Sequence, residues 1–294
     1  MPLIQDLLNE IDTTVVDFEK AIPKIETNIA RELAVLFNEL ETRGGFLSPT
    51  VKNLRAVQKL KSKIRAAILS KDYTGSVDEL IKQFTSVSEI QNAYFATIST
   101  TFKKGSVLKE VEKLARLNTI ESLTGAGIES ELVEQILDKA LTNVKSGASF
   151  LDLRDELDFF IRGNKEFPGK LRAYTGLIVR DSINQFSASY SETIAADLGL
   201  KWYQYVGTTV GDSREWCVQM VKKKWIHESE LTKLVKGTVN GKRVPIYDKT
   251  GLPGGMIAGT NAKNVKVRRG GWNCMHQIIP VATARVPKSV RDKV

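Results

Sequence analysis

Two cysteines and two histidines, all in the last third of the chain, are the residues best suited to binding a metal. They are Cys217, His227, Cys274 and His276. Cys274 and His276 are two positions apart, so in an extended segment their side chains leave the same face. Two thiolates with one or two imidazoles suit tetrahedral zinc, although His227 also suits the start of a helix. Three interpretations stay open: a metal site, a disulfide between the cysteines, or two reduced cysteines packed in a core.

A second group of residues suits contacts to nucleic acid. Lysines and arginines cluster in two short stretches of the same region: Lys222, Lys223, Lys224, Lys266, Arg268 and Arg269. Such side chains neutralise phosphates without reading base sequence. We therefore predict non-specific binding to DNA; the alternative is that these residues only keep the surface soluble.

Catalytic chemistry is not indicated. Asp212, Arg214, His227 and Glu228 include an acid and a base, but no nucleophile elbow, zinc-protease helix motif or spaced carboxylate pair orders them. Asp212 is instead predicted to cap a short helix, with Arg214 as its ion-pair partner. We expect a protein that is not an enzyme.

The distribution of residue types predicts two domains. The chain has 294 residues and a net charge of +9, yet residues 201–294 hold 18 Lys and Arg against 6 Asp and Glu. All four tryptophans and 10 of the 21 glycines also lie there. We expect a helical domain over residues 1–165, which could dock to a capsid or portal protein, and a basic module over residues 166–294. The segment 163–169 is expected to be the linker.

Targeting signals are not expected. No run of 18 apolar residues occurs, which argues against a transmembrane helix. The first residues lack a basic region and a cleavage site, so no secretory signal is predicted. Two cysteines favour a reduced, cytosolic environment.

Hydrophobic spacing predicts about seven helices in the first 200 residues. Ser76 and Ser149 match capping patterns, so we expect helices to begin there, with a break at residues 73–75. Residues 170–198 are predicted to be one long helix closed by Gly199. The amphipathic segment 3–40 either packs within the bundle or docks against another chain.

The last third changes to a period of two, which is typical of strands. Strands are predicted over residues 201–207, 265–268 and 277–279, and Asn240-Gly241 predicts a hairpin turn. The glycine-rich segment 251–259 lacks the ending of a phosphate loop. The predicted fold class is therefore α+β: a mainly helical N-terminal domain followed by a small mixed α+β module.

Four sequence features between residues 170 and 283 resemble the C-terminal module of phage Mu F-like minor head proteins, a phage head morphogenesis family. The features are an arginine in "IVRDSINQ", the strand "KWYQYVG", the acidic-x-Arg-x-x-Cys step in "GDSREWC", and the close "GGWNCMHQIIPV". Their residues are Arg180, Asp212, Arg214, Cys217, Gly271, Asn273, Cys274, His276 and Pro280. Family members more often have Arg-Thr-Glu on the helix and two cysteines in the close, whereas this chain has Arg180-Asp181-Ser182, and His276 follows Cys274.

The resemblance implies a structural protein of the phage head. Its expected place is the capsid interior of the virion, near the portal, with the host cytoplasm as its location during assembly. The implied partners are the portal or major capsid protein and packaged DNA, with no membrane. The alternatives are a free, zinc-stabilised DNA- or RNA-binding protein and a hydrolase or transferase built on the same module.

Overall fold

The computed structural model describes residues 2–246 and 249–294. It is 65% helical, with 8% strand in small antiparallel sheets. The predicted α+β class, with a mainly helical N-terminal region and a small mixed C-terminal part, is confirmed. In the described residues, no helix combines the length and hydropathy needed to span a bilayer.

Helices form nearly all of the chain before residue 200. They are α1 (Pro2–Glu19), α2 (Ile22–Glu39), α3 (Val51–Ile68), α4 (Lys71–Ala96), α5 (Ser106–Thr124), α6 (Ala126–Ile128), α7 (Glu134–Ser146), α8 (Phe150–Arg162) and α9 (Lys170–Asp197). A short hairpin of β1 (Thr42–Arg43) and β2 (Phe46–Leu47) separates α2 from α3. The helices bury core-facing apolar residues, as at Val57 and Ile64 of α3, so packing supplies most of the stability of these helices.

One of the two predicted helix starts is right and the other is wrong. Ser149 caps α8 by accepting a hydrogen bond from the backbone N–H of Asp152. Ser76 lies inside α4, where its hydroxyl donates to the Asp72 carbonyl. The helix continues through the expected break because Tyr73 is fully buried, and its hydroxyl donates to the Leu123 carbonyl. This tertiary anchoring outweighs the low helix propensity of Gly75.

The C-terminal part contains short elements around a three-stranded sheet. In chain order they are β3 (Trp202–Val206), α10 (Glu215–Lys223), β4 (Trp225–His227), α11 (Leu231–Val235), β5 (Thr238–Val239), β6 (Lys242–Arg243), α12 (Val265–Arg268), β7 (Gln277–Val281) and α13 (Lys288–Arg291). The sheet order is β4-β3-β7, and both pairings are antiparallel. The predicted strands at 201–207 and 277–279 are confirmed.

The predicted hairpin is also confirmed, whereas one predicted strand is wrong. Asn240 and Gly241 join β5 to β6 with φ values of 51° and 74°. Residues 265–268 form α12 instead of a strand, because the Val265 and Arg268 amides donate to the carbonyls of Asn261 and Asn264. Four alternating residues are too short a pattern to outweigh these local bonds.

The long helix α9 is confirmed, and Gly199 follows it with a φ of 64°. The expected linker at 163–169 is a tight turn. The Asn164 amide donates to the Phe167 carbonyl at 2.8 Å, and a Cβ on Gly169 would lie 1.8 Å from the Ile161 carbonyl oxygen. This packing differs from that of an open, flexible segment.

The chain divides into two compact units, each assembled from separate segments. Unit 1 contains Met1–Asp12, Gln83–Arg116 and Arg180–Val294, and unit 2 contains Thr13–Lys82 and Leu117–Val179. The boundary expected at residues 165/166 therefore falls within unit 2, because the start of α9 packs there. Within unit 1, the Gln91 amide donates to Ser187 and Ser191 of α9, and the Tyr94 hydroxyl donates to the Pro280 carbonyl of β7.

Candidate metal centre

Cys217, Cys274 and His276 come together inside unit 1. Their ligand atoms all lie within 4.8 Å of one another, and the Cys274 Sγ is 3.7 Å from the His276 Nδ1. All three residues are buried, with at most 5% exposure. This cluster could hold a metal ion, because thiolates and imidazoles are the ligands that soft and borderline divalent metals prefer.

Two elements bring these side chains together. Cys217 lies on the buried face of α10 beside Trp216, whose indole N–H donates to the Leu234 carbonyl at 2.9 Å. Cys274 and His276 lie just before β7, in the segment 270–276, which we call the closing loop. A Cβ on Gly270 would lie 2.4 Å from the Cys217 Sγ, so a glycine lets the closing loop pass directly beside the thiol.

Polar side chains fix the closing loop from two sides. Arg214 donates from Nη1 to the Gly270 carbonyl at 3.0 Å and from Nη2 to the Trp272 carbonyl at 2.6 Å. Asn273, which has a φ of 60°, donates from its backbone N–H to the Asp181 carboxylate at 3.1 Å. Its side-chain oxygen accepts from the Arg180 guanidinium at 2.8 Å.

The roles predicted for Asp212 and Arg214 are wrong. Asp212 is exposed, and the residue at the N-cap of α10 is Arg214. The two terminal nitrogens of the Arg214 guanidinium donate hydrogen bonds to two backbone carbonyls of the closing loop. The spacing of these carbonyls matches that of the two nitrogens. Its role is therefore to hold the loop that carries Cys274.

Aromatic rings enclose the cluster. The Tyr205 ring stacks on the His276 ring with a centroid distance of 5.0 Å and meets the Trp216 ring edge-on at 5.7 Å. Among the described residues, the Tyr205 hydroxyl has no nitrogen or oxygen hydrogen-bond partner and interacts with the two thiols, and the His276 Nε2 has no hydrogen-bond partner. Tyr205 carries no sequence signal of a site role, because its place in an alternating strand indicates only burial.

The surroundings favour a thiolate at Cys274. A hydrogen bond from the Cys217 thiol, supported by His276 and by the charge of Arg269, lowers the pKa of Cys274. The same hydrogen bond and burial raise the pKa of Cys217, so the pair tends to hold one proton. Burial, and then the nearby thiols, raise the pKa of Tyr205 well above its usual value. A preformed thiolate lowers the cost of metal binding, because ligand cysteines must lose their protons.

His227 is not part of this cluster. Its ring nitrogen Nδ1 lies 2.9 Å from the Ser229 hydroxyl and accepts from the Ser229 amide, which caps the 3-10 turn after β4. Its ring lies 4.8 Å from that of Trp202. Of the four residues predicted as ligands, the structure therefore brings together three, and His227 has a capping role.

The six basic residues predicted to contact DNA have different environments. Lys222 and Lys224 are exposed. Lys223 pairs with Glu230 at 2.6 Å, and Lys266 pairs with Glu192. Arg268 donates to the Ala258 carbonyl. Arg269 is only 1% exposed, and this burial contradicts its predicted contact with phosphate. Glu192 lies 74 positions from Lys266, so the sequence alone could not indicate that pairing.

The cluster forms part of the wall of a cleft in unit 1 with a volume of about 890 Å³. The charged residues that line it are Asp12, Arg180, Asp212, Arg214 and Lys224. Comparisons with protein-family models, with curated proteins and with solved structures found no match to this chain.

Proposed function

We propose that this chain is a structural protein of a phage head, of the Mu F-like minor head class, located in the capsid interior near the portal. The observation that carries the proposal is the convergence of the family-like residues on the closing loop. Arg180 of α9 binds Asn273, Arg214 binds the carbonyls of Gly270 and Trp272, and Cys217 lies against Cys274. These residues are up to 94 positions apart in sequence, from Arg180 to Cys274.

This convergence favours a structural role. Arg180 and Arg214 hydrogen-bond to the closing loop and Cys217 lies against it, so together they determine the shape of the segment before β7. In the described residues, the cluster that could hold a metal ion consists of two cysteines and a histidine. We propose that the bound ion is zinc, because tetrahedral coordination by thiolate and imidazole is typical of that metal. Zinc would cross-link α10 to the segment that leads into β7.

We propose that packaged DNA contacts the exposed lysines at the end of α10. Lys222 and Lys224 are the two exposed members of the predicted set, at the end of α10. Lysines need no base-specific geometry to contact phosphates, which suits a protein that meets DNA of any sequence. The portal or major capsid protein remains the proposed protein partner.

The test is co-sedimentation with heads. The chain is co-expressed with the portal and major capsid proteins of the same phage, and the lysate is separated on a sucrose gradient. We expect the chain in the head fractions, protected from added protease until the heads are opened. Expression without the capsid proteins is the control, in which the chain stays at the top. A chain that stays there in both cases contradicts the proposal.

A further inference from the structure

We propose that the metal centre keeps one coordination position for an exchangeable small ligand that enters from the cleft, and that the Tyr205 hydroxyl donates a hydrogen bond to this ligand. Water occupies the position at rest, and a small monodentate anion replaces it. This inference rests on the metal-binding part of the proposed function and is independent of a place in the phage head.

The number of protein ligands is the first argument. Structural zinc sites are closed by four protein ligands, whereas three protein ligands leave a fourth position for water or another small molecule. Within residues 2–246 and 249–294, the cluster contains Cys217, Cys274 and His276 and no fourth cysteine, histidine or carboxylate. His227, the other histidine of the chain, is used in a helix cap.

A small ligand can reach the metal position from the cleft. All three ligand residues line the cleft of about 890 Å³, which lies in the range of cavities that bind small molecules. A metal held by them therefore borders a space that a small ligand can enter. A closed structural site in a packed core would lack such a space.

The buried hydroxyl of Tyr205 lies beside the cluster and can contact a ligand on the metal. The Tyr205 side chain is 3% exposed, and its hydroxyl has no nitrogen or oxygen hydrogen-bond partner among the described residues, only the two thiols beside it. A metal that takes up the thiolate lone pairs weakens the interaction of this hydroxyl with the thiols. An unsatisfied buried donor is costly, so a ligand that accepts its hydrogen bond then stabilises the site. The hydroxyl interacts with both thiols, which places it beside the metal position.

Arg269 determines the class of ligand. Its side chain is 1% exposed, and neither Nε nor Nη1 has a hydrogen-bond partner in the described part of the chain. Its positive charge acts on Cys274 and on the buried Asp181. Two thiolates neutralise a divalent metal and the Asp181 carboxylate offsets the charge of Arg269. The guanidinium donors of Arg269 that lack a partner therefore favour a ligand with strong hydrogen-bond acceptors, such as a small anion, in the fourth position.

The experiment uses the full chain, without a histidine tag, loaded with Co²⁺, whose visible absorption reports coordination. Sodium azide is titrated at constant ionic strength, with sodium perchlorate as the non-coordinating control. We expect one Co²⁺ per chain and a saturable change of the visible bands with azide but not with perchlorate. A cobalt spectrum that azide leaves unchanged overturns the inference while leaving metal binding intact. A chain that binds no cobalt overturns both the inference and the proposed metal.

Tyr205→Phe tests the hydrogen bond, and Tyr203→Phe is its matched control. Tyr203 lies on the same strand and face, but its hydroxyl accepts a hydrogen bond from Lys266 at 3.1 Å. We expect Tyr205→Phe to bind Co²⁺ fully and to weaken azide binding about three- to tenfold, as for the loss of one hydrogen bond. Tyr203→Phe should leave azide affinity unchanged. Equal azide affinity in both variants contradicts the role of Tyr205, and the titration of the unmodified chain remains decisive if a variant does not fold.

Discussion

The two histidines of the chain have different roles. His276 directly precedes strand β7, and His227 directly precedes a 3-10 turn. His276 lies in the cluster, with Nδ1 3.7 Å from a thiol sulfur, and His227 caps a turn. We predict that His276→Ala abolishes stoichiometric metal binding, because one of three ligands is lost. His227→Ala should keep the metal and cost about 1 kcal/mol of stability for the lost cap. Metal content and thermal unfolding of both variants check this, and metal loss in His227→Ala would contradict the assignment.

Lysine environments divide the basic residues into two groups. Lys222 and Lys224 are exposed, whereas Lys223 and Lys266 are engaged by Glu230 and Glu192. Changing Lys222 and Lys224 together to glutamine should weaken DNA binding for all sequences alike. It should also reduce the slope of log affinity against log salt by about 1.8, for two lost phosphate contacts. The matched double variant Lys223→Gln with Lys266→Gln should change the slope much less, and an equal change would refute the division.

At the scale of elements, the closing loop depends on a glycine that has no room for a side chain. Gly271 has a φ of 104°, and a Cβ there would lie 1.8 Å from the Gly255 carbonyl oxygen. Gly241 also has a positive φ, of 74°, but nothing lies within 4 Å of its Cβ position. We predict that Gly241→Ala costs about 1 kcal/mol, and Gly271→Ala about 2 to 5 kcal/mol because overlap adds to backbone strain. Denaturant titrations measure the unfolding free energies of both variants, and equal values for Gly241→Ala and Gly271→Ala would contradict this account of the loop.

Elements with long or specific local signals were predictable from the sequence. The helix over residues 170–198 carries an extended apolar pattern, and Asn240-Gly241 has turn chemistry that few alternatives satisfy. The strand predicted at 265–268 and the helix start predicted at Ser76 are wrong, because neighbouring backbone bonds and the buried Tyr73 decided those segments.

The site was predictable only in part, for a related reason. Residue types and the spacing of Cys274 and His276 indicate a metal ligand pair, and Cys217 completes the cluster. The burial of Arg269 and the position of Tyr205 depend on contacts between distant segments. A single sequence carries no local pattern for such contacts.

At the scale of the whole molecule, the C-terminal module depends on residues far upstream. Unit 1 includes Gln83–Arg116, and from this segment Gln91 and Tyr94 donate hydrogen bonds to α9 and β7. We predict that a fragment of residues 166–294 lacks a cooperative thermal transition or melts well below the full chain. Tryptophan fluorescence measures this directly, since all four tryptophans lie in the fragment. A fragment that melts cooperatively at the temperature of the full chain would support the boundary at 165/166 instead.

We predict that a metal held by Cys217, Cys274 and His276 stabilises the fold. The measurement is elemental analysis of the chain purified without added metal, followed by thermal unfolding with and without a chelator. We predict about one zinc per chain and a chelator-induced fall in melting temperature of roughly 10 °C. The variants Cys217→Ser and Cys274→Ser should each lower the melting temperature by the same amount as the chelator. The double variant should lower it no further, because either single loss already empties the site. Less than about a tenth of a zinc per chain, with a melting temperature that chelator leaves unchanged, would contradict the claim.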